Sequence, residues 1–187
     1  MPRLRFARII DARGDVHERG FTLIELLLVM AIVGILAAVA MAGHRMTRVR
    51  AQEVAAVAAL QAISRAQLAF SQTCGNQRYA PTLVSLSTPV PATGAAFLSP
   101  DLTSGDPLVK SGYQITMGGT PTTLEVLTCT GIVPLETYQA TADPITPGLT
   151  GIRFFGINTE RVVFEDTATF TGNMPETGAP GHGVEIK

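Results

Sequence analysis

Glu25 is the first residue that demands a chemical explanation. It is the sole ionisable side chain in the run from Phe21 to Gly43, and a charge held within lipid costs roughly 3 kcal/mol on insertion scales. A carboxylate so placed either snorkels to a polar boundary or meets a cation that shares its desolvation. Cys74 and Cys129 are the second pair with chemistry to offer. In an oxidising compartment they form a disulfide; otherwise they are two buried free thiols. Their spacing is not C-x-x-C, so a catalytic dithiol is unsupported. His17, His44 and His182 are too scattered to converge on a Ser-His-Asp or histidine-zinc site. No glycine-rich phosphate loop precedes a helix. Asp101 with Asp106, and Glu165 with Asp166, could contribute to a calcium site, but the ligand pattern is sparse and they read as solvated loop carboxylates. The expectation is a protein that is not an enzyme, with no cofactor and no metal.

The elements that must position these residues follow from composition. The chain has 187 residues, of which only 16% are charged, which argues against disorder and for partial residence in lipid. Residues 1–20 are net basic, with Arg3, Arg5, Arg8, Arg13 and Arg19 against Asp11, Asp15 and Glu18, whereas the remainder is net acidic. An acidic body lowers the expectation of nucleic-acid binding. From Phe21 to Gly43 an α-helix rises about 34 Å, enough to cross the hydrocarbon core. The arginines before it place residues 1–20 in the cytoplasm and the rest outside, although His44, Arg45, Arg48 and Arg50 oppose that bias. Ala40-Met41-Ala42 also offers an A-x-A-like signal-peptide site before Gly43, but the apolar run is longer than an ordinary h-region and contains Glu25.

Beyond Gly43, an alanine-rich, proline-free stretch predicts that the helix continues to about Ser71, stopped by Cys74-Gly75-Asn76. Val54, Val57, Leu60, Ile63, Leu68 and Phe70 supply an apolar face, with Arg45, Arg48, Arg50, Glu53, Gln61 and Arg65 elsewhere, so this half is amphipathic. Proline and glycine then rise, and residues 79–107 read as an irregular connector. Tyr113, Ile115 and Met117 alternate as a strand, Gly118-Gly119 offers a turn, and Leu124-Glu125-Val126 resumes a second strand. Thr137–Thr141 is another strand, stopped by Asp143-Pro144. Gly151–Ile157 and Arg161–Phe164 flank a hairpin at Asn158-Thr159-Glu160. Four or five antiparallel strands result, with the amphipathic half-helix covering their apolar face. The tail from Thr171 reads as a flexible exposed segment. The fold class is α+β, divided as a leader over 1–20, a long helix over 21–74 (transmembrane over 21–43), and a β-rich head over 75–187.

Gly20-Phe21-Thr22-Leu23-Ile24-Glu25-Leu26, continued by Ala31-Ile32-Val33-Gly34-Ile35-Leu36-Ala37-Ala38, resembles the N-terminus of the type IV pilin and pseudopilin superfamily. The resemblance implies cleavage by a prepilin peptidase between Gly20 and Phe21, and N-methylation of Phe21. It further implies pairing of Glu25 with the N-terminal amine of a neighbouring subunit. Short elements of the head (Gly112-Tyr113, Tyr138-x-Ala140 and Gly151-x-Arg153-x-Phe155) resemble pilin heads more weakly. If paired, Cys74 and Cys129 tie the end of the helix to the end of the second strand. The proline common some twenty-two residues into mature pilins is absent; Ala42 stands there. The leader is longer than many in the family, so a start codon downstream of Met1 is an alternative.

The implied function is structural: a filament subunit that polymerises with itself or other pilins. Its partners are the membrane before assembly, an inner-membrane assembly platform and motor ATPases, and no nucleic acid is among them. The implied location is the inner membrane, head in the periplasm, then the cell surface. A pilus for adhesion, motility or DNA uptake is favoured over a type II secretion pseudopilus by the missing tryptophan and weak calcium signature. The rival from another class is a membrane-tethered or secreted monomeric ligand-binding or hydrolytic domain.

Overall fold

The computed structural model describes residues 20–91 and 93–186, with the backbone alone over 40–43; the expected leader over 1–20 lies outside these except for Gly20. One α-helix, α1 (Leu23–Thr73), opens the described chain. Six strands follow: β1 (Leu108–Lys110), β2 (Tyr113–Pro121), β3 (Leu135–Pro144), β4 (Phe154–Asn158), β5 (Val163–Asp166) and β6 (Val184–Glu185). They form one antiparallel sheet in sequential order β1-β2-β3-β4-β5-β6. Short 3₁₀ turns at Val84–Ser87 and Pro100–Leu102 punctuate the connector. The class is α+β, a long N-terminal helix with a small antiparallel sheet. The chain divides into two compact units, residues 1–42 and residues 43–187.

In the 1–42 unit α1 begins where Thr22 caps it: the Glu25 N–H donates to Thr22 Oγ1 at 3.3 Å and to its carbonyl at 3.1 Å. Thr22-Leu23-Ile24-Glu25 has the sequence form of a capping box, in which the glutamate stands at the third helical position. Its carboxylate also sits in the first turn, where the helix dipole favours negative charge.

In the 43–187 unit the buried side of α1 runs through Val49, Glu53, Ala56, Leu60, Ile63, Gln67, Phe70 and Cys74, at alternating spacings of four and three. That is a strict helical stripe. It shares one core with Tyr113, Ile115, Met117, Ala140, Ala142, Phe155 and Ile157 from the sheet and with Leu83, Leu86, Leu98 and Leu102 of the connector. The stripe differs from the expected one. Val54 faces out at 67% exposure and Val57 and Leu68 are half-buried, whereas the polar Glu53 and Gln67 lie inside. Both polar residues find internal partners, described below, and burial then costs them little.

Several sheet expectations are corrected. Gly118-Gly119 is no turn but lies within β2, opposite Gln139 and Tyr138. A Cβ on Gly119 would stand 2.1 Å from the Thr137 carbonyl oxygen, so this position is glycine because the neighbouring strand approaches closely, whereas a Cβ on Gly118 would meet only the Gln139 side chain at 3.5 Å. Leu124-Glu125-Val126 forms no strand; it belongs to the loop between β2 and β3. β3 continues through Asp143-Pro144 instead of stopping there, with Pro144 paired at the strand end opposite Tyr113. β1 was not foreseen. It hydrogen-bonds back to β2 across Ser111-Gly112, both with positive φ, a turn suited to a two-residue hairpin. The β4–β5 hairpin falls across Asn158-Thr159-Glu160 as the pattern predicts.

The tail is ordered, against the expectation of a flexible segment. Phe170 and Met174 are buried with Phe164, and β6 pairs with β5. Glu176 accepts from the Thr120 N–H at 2.9 Å and from the Thr120 hydroxyl at 3.0 Å, and also bonds Thr137. The Asn158 amide donates to the carbonyls of Pro175 and Gly178. His182 stacks on Phe170 and bonds Asp166 at 2.7 Å. Hydrogen bonds to backbone across a glycine-rich stretch fix a chain whose composition alone suggests mobility.

Candidate functional site

The residues singled out for processing and assembly all lie in the 1–42 unit. A Cβ at Gly20 would meet nothing within 4 Å. Phe21 is 79% exposed. Glu25 is exposed on the first turn of α1. Every described side chain from Gly20 to Val39 is exposed, including Leu23, Ile24, Leu26, Leu27, Leu28, Val29, Met30, Ile32, Val33, Ile35 and Leu36. A continuous apolar surface of this kind is not stable in water and calls for lipid or other helices around it. The segment is long and apolar enough to cross a membrane. Glu25 stands near its N-terminal end, four residues after Phe21 and three after the capping Thr22.

In the 43–187 unit polar groups work as latches between α1 and the rest. Glu53 Oε1 accepts from the N–H groups of Ile152 at 2.9 Å and Arg153 at 3.3 Å. Its Oε2 takes the Arg153 guanidinium at 2.8 Å (Nη2) and 3.0 Å (Nε). Arg153 reaches on to Glu165 at 2.5 Å and lies over the Phe155 ring. Burial pushes the Glu53 carboxyl upward, but the Ile152 N–H and the Arg153 guanidinium outweigh it and hold the group below its ordinary value. The bond to Glu53 likewise raises Arg153. Gln67 is fully buried and satisfied: its Nε2 donates to the Ala80 carbonyl at 2.9 Å and its Oε1 accepts the Ala80 N–H at 2.8 Å. Tyr138 donates to Ser64 at 3.2 Å, and burial raises its phenol to about 12. Tyr113 donates to the Arg153 carbonyl at 2.8 Å, with Gly151 packed so closely that a Cβ there would stand 1.9 Å from the phenol oxygen.

Cys74 and Cys129 are joined by a disulfide, with Cα atoms 4.8 Å apart. The Cys129 N–H also donates to the Cys74 carbonyl at 2.9 Å. Cys74 is just past the end of α1, as expected, but Cys129 belongs to the β2–β3 loop and not to a strand end. The suspected calcium carboxylates are engaged by protein donors and are not simply solvated. Asp101 bonds Lys110; Asp106 accepts from the Leu83 and Met117 N–H groups. Glu165 holds Arg153, and Asp166, bound first by His182 and then by the Thr167 N–H, sits below its ordinary pKa. Among the described residues no group of three or more His, Cys, Asp or Glu could hold a metal ion.

Glu53, Arg153 and Gln67 are the residues that sequence reasoning missed as structural determinants. The signal available for them was the four-three spacing from Val49 to Cys74, which admits Glu53 and Gln67 once polar residues are allowed on the buried side.

Residues 16–41 match the family described as the prokaryotic N-terminal methylation motif, the prepilin-type cleavage and methylation motif of type IV pilins. No curated protein matches the chain, and no solved structure does.

Proposed function

We propose that this chain, which carries a prepilin-type N-terminal motif, is a structural subunit of a type IV pilus-like filament. The motif points to a structural pilin-type protein, to processing by prepilin peptidase and to assembly with other pilins. The apolar helix and the motif together fit single-pass inner-membrane insertion before assembly. In this reading the peptidase cuts between Gly20 and Phe21, removing residues 1–20, and Phe21 is N-methylated. Residues 21–74 are the polymerising helix, membrane-spanning over 21–43, and residues 75–187 are the periplasmic, later surface-displayed, head. Glu25 pairs with the amine of a neighbouring subunit's Phe21, each charge relieving the other's desolvation. The observation that carries the proposal is the motif running into an apolar helix with every described side chain exposed.

Intact mass and N-terminal peptide analysis of the protein from its native host tests the processing. A chain beginning at N-methylated Phe21 is the expected result. A chain beginning at Gly43 would mean ordinary signal-peptide removal and would sink the proposal.

The Thr22 cap gives Glu25 a local role as well, and two substitutions separate it from assembly. Glu25→Gln keeps a side chain able to complete the capping box, whereas Glu25→Ala does not. If ion pairing governs assembly, both variants are processed normally, and both lose filaments by tenfold or more when counted by electron microscopy, the scale of roughly 3 kcal/mol for an unpaired charge in lipid. Filaments at normal number in Glu25→Gln with loss in Glu25→Ala would assign Glu25 to helix capping alone.

A further inference from the structure

The 43–187 unit carries a cleft of about 450 Å³ at its first turn of helix, lined by Arg45, Arg48, Val49, Gln52, Leu149 and Ile152. We propose that this cleft and its rim dock on the headgroups of an anionic phospholipid leaflet, seating the head against the membrane before assembly. The proposal rests on the membrane-spanning reading of residues 21–43.

Four observations carry it. Arg45, Arg48 and Arg50 are all exposed, and among the described residues none of the three is ion-paired. Chain connectivity places them: Arg45 follows Gly43 by two residues, so its α-carbon lies within about 8 Å of the end of the apolar run whatever the local geometry. At that depth an arginine meets phosphates, and a leaflet of anionic lipid attracts it.

The loop beside them, Ile145–Ile152, offers apolar side chains to the same surface, with Leu149 64% exposed, Ile145 51% and Ile152 49%. It is rigid. Thr150 and Leu149 N–H groups close on the Thr146 carbonyl at 2.9 and 3.0 Å, the Gly148 N–H donates to the Gly151 carbonyl at 2.7 Å, and Glu53 holds the Ile152 N–H. Leu149 is therefore presented outward at 64% exposure by a hydrogen-bonded loop, and cations flanking exposed apolar side chains make an interfacial surface.

Within the cleft, the Gln52 side-chain oxygen is buried and has no hydrogen-bond partner. A buried acceptor left open calls for a donor. A phosphoglycerol headgroup supplies both complements: a phosphodiester anion for Arg45 and Arg48, and a hydroxyl for Gln52 Oε1 once that half-buried side chain turns toward the cleft.

The test is amide hydrogen exchange on the full chain in lipid nanodiscs, either pure phosphatidylcholine or containing phosphatidylglycerol. Protection over 23–39 in both discs reports membrane insertion; protection over 146–152 reports the docking. The expected result is insertion in both, with slower exchange over 146–152 only in the phosphatidylglycerol discs. Arg45→Gln with Arg48→Gln reverses that slowing by about fivefold for each arginine removed, whereas Arg65→Gln with Arg161→Gln, equal in charge but lining a different cleft, leaves it intact. Insertion without lipid-dependent protection of the loop overturns the docking surface while leaving the membrane reading in place. Equal effects of the two double variants overturn it too, because they signal attraction of the head as a whole. Protection in phosphatidylcholine discs on adding free glycerol phosphate overturns the assignment to a lipid surface. Absence of protection over 23–39 overturns both the docking and the spanning segment.

Discussion

Glu53→Ala lowers the unfolding free energy of the 43–187 unit by about 3 kcal/mol, read from denaturant unfolding of the full chain in detergent micelles. Tyrosine near-ultraviolet dichroism is the probe, since the chain has no tryptophan and Tyr113 and Tyr138 are both buried. The magnitude comes from what the truncation strands. Arg153, 42% exposed at its side chain, can turn to water and to Glu165. The N–H groups of Ile152 and Arg153 lose their acceptor, Oε1, and a cavity opens on the buried stripe. Glu53→Gln retains an acceptor for the Ile152 N–H and costs about half as much. A loss under 1 kcal/mol for Glu53→Ala would show that water replaces the carboxylate and that the latch is not structural.

The same carboxylate sets a sign for acid sensitivity. Its folded pKa lies below the ordinary 4.5, so its contribution is fully present above that value and is lost as pH falls through the folded one. Asp166, also lowered, first by its bond to His182, adds in the same direction. Stability therefore falls on acidification below about pH 4.5, and Glu53→Gln flattens that slope. An unchanged slope in the variant would place the acid sensitivity elsewhere.

Removing the disulfide has the largest expected effect on the head. Cys74 and Cys129 are 55 residues apart in sequence, and closing a loop of that size stabilises by about 4 kcal/mol in the chain-entropy account. Cys74→Ala with Cys129→Ala should show that loss in denaturant midpoint, with the change concentrated in the β2–β3 loop. Its other anchors are polar: Thr122 N–H to the Pro134 carbonyl, Thr128 N–H to the Ile132 carbonyl, Cys129 N–H to the Cys74 carbonyl, the Thr122 hydroxyl to Glu136, and the Ile132 N–H to the Thr128 hydroxyl. Leu124, Leu127 and Val133 are at least half exposed and contribute little packing. Hydrogen exchange over 122–134 separates the cases: accelerated exchange there with a stable sheet is local fraying, and unchanged exchange would mean that the backbone bonds alone hold the loop.

How much was legible beforehand depends on the range of the interaction. The apolar run, the residues flanking Gly20 and the end of α1 are written in contiguous positions, and local pattern found them. The β4–β5 hairpin was equally local. Glu53 and Gln67 were not, because a polar residue on a buried stripe becomes tolerable only through partners distant in sequence: Arg153, a hundred residues on, and the Ala80 backbone. Leu124-Glu125-Val126 alternates like a strand, yet period two cannot tell a strand from an extended loop without a neighbouring chain. Gly118-Gly119 failed for the converse reason, since glycine serves close strand approach as readily as a turn. The tail was judged by composition, while its order comes from buried Phe170 and Met174 and from Glu176 and Asn158 gripping backbone.

The latches along α1 also have a mechanical meaning. Glu53 to Ile152 and Arg153, Ser64 to Tyr138, Gln67 to Ala80 and the Cys74–Cys129 bond are spread from Glu53 to the residue just past the end of α1, about 30 Å at 1.5 Å per residue. A pull along the helix axis loads all four together in shear rather than one after another. Sliding by a single turn would require breaking three polar contacts and a covalent bond at once. In a fibre under tension, load entering through the N-terminal helix would be shared across that length before the sheet could be stripped from it.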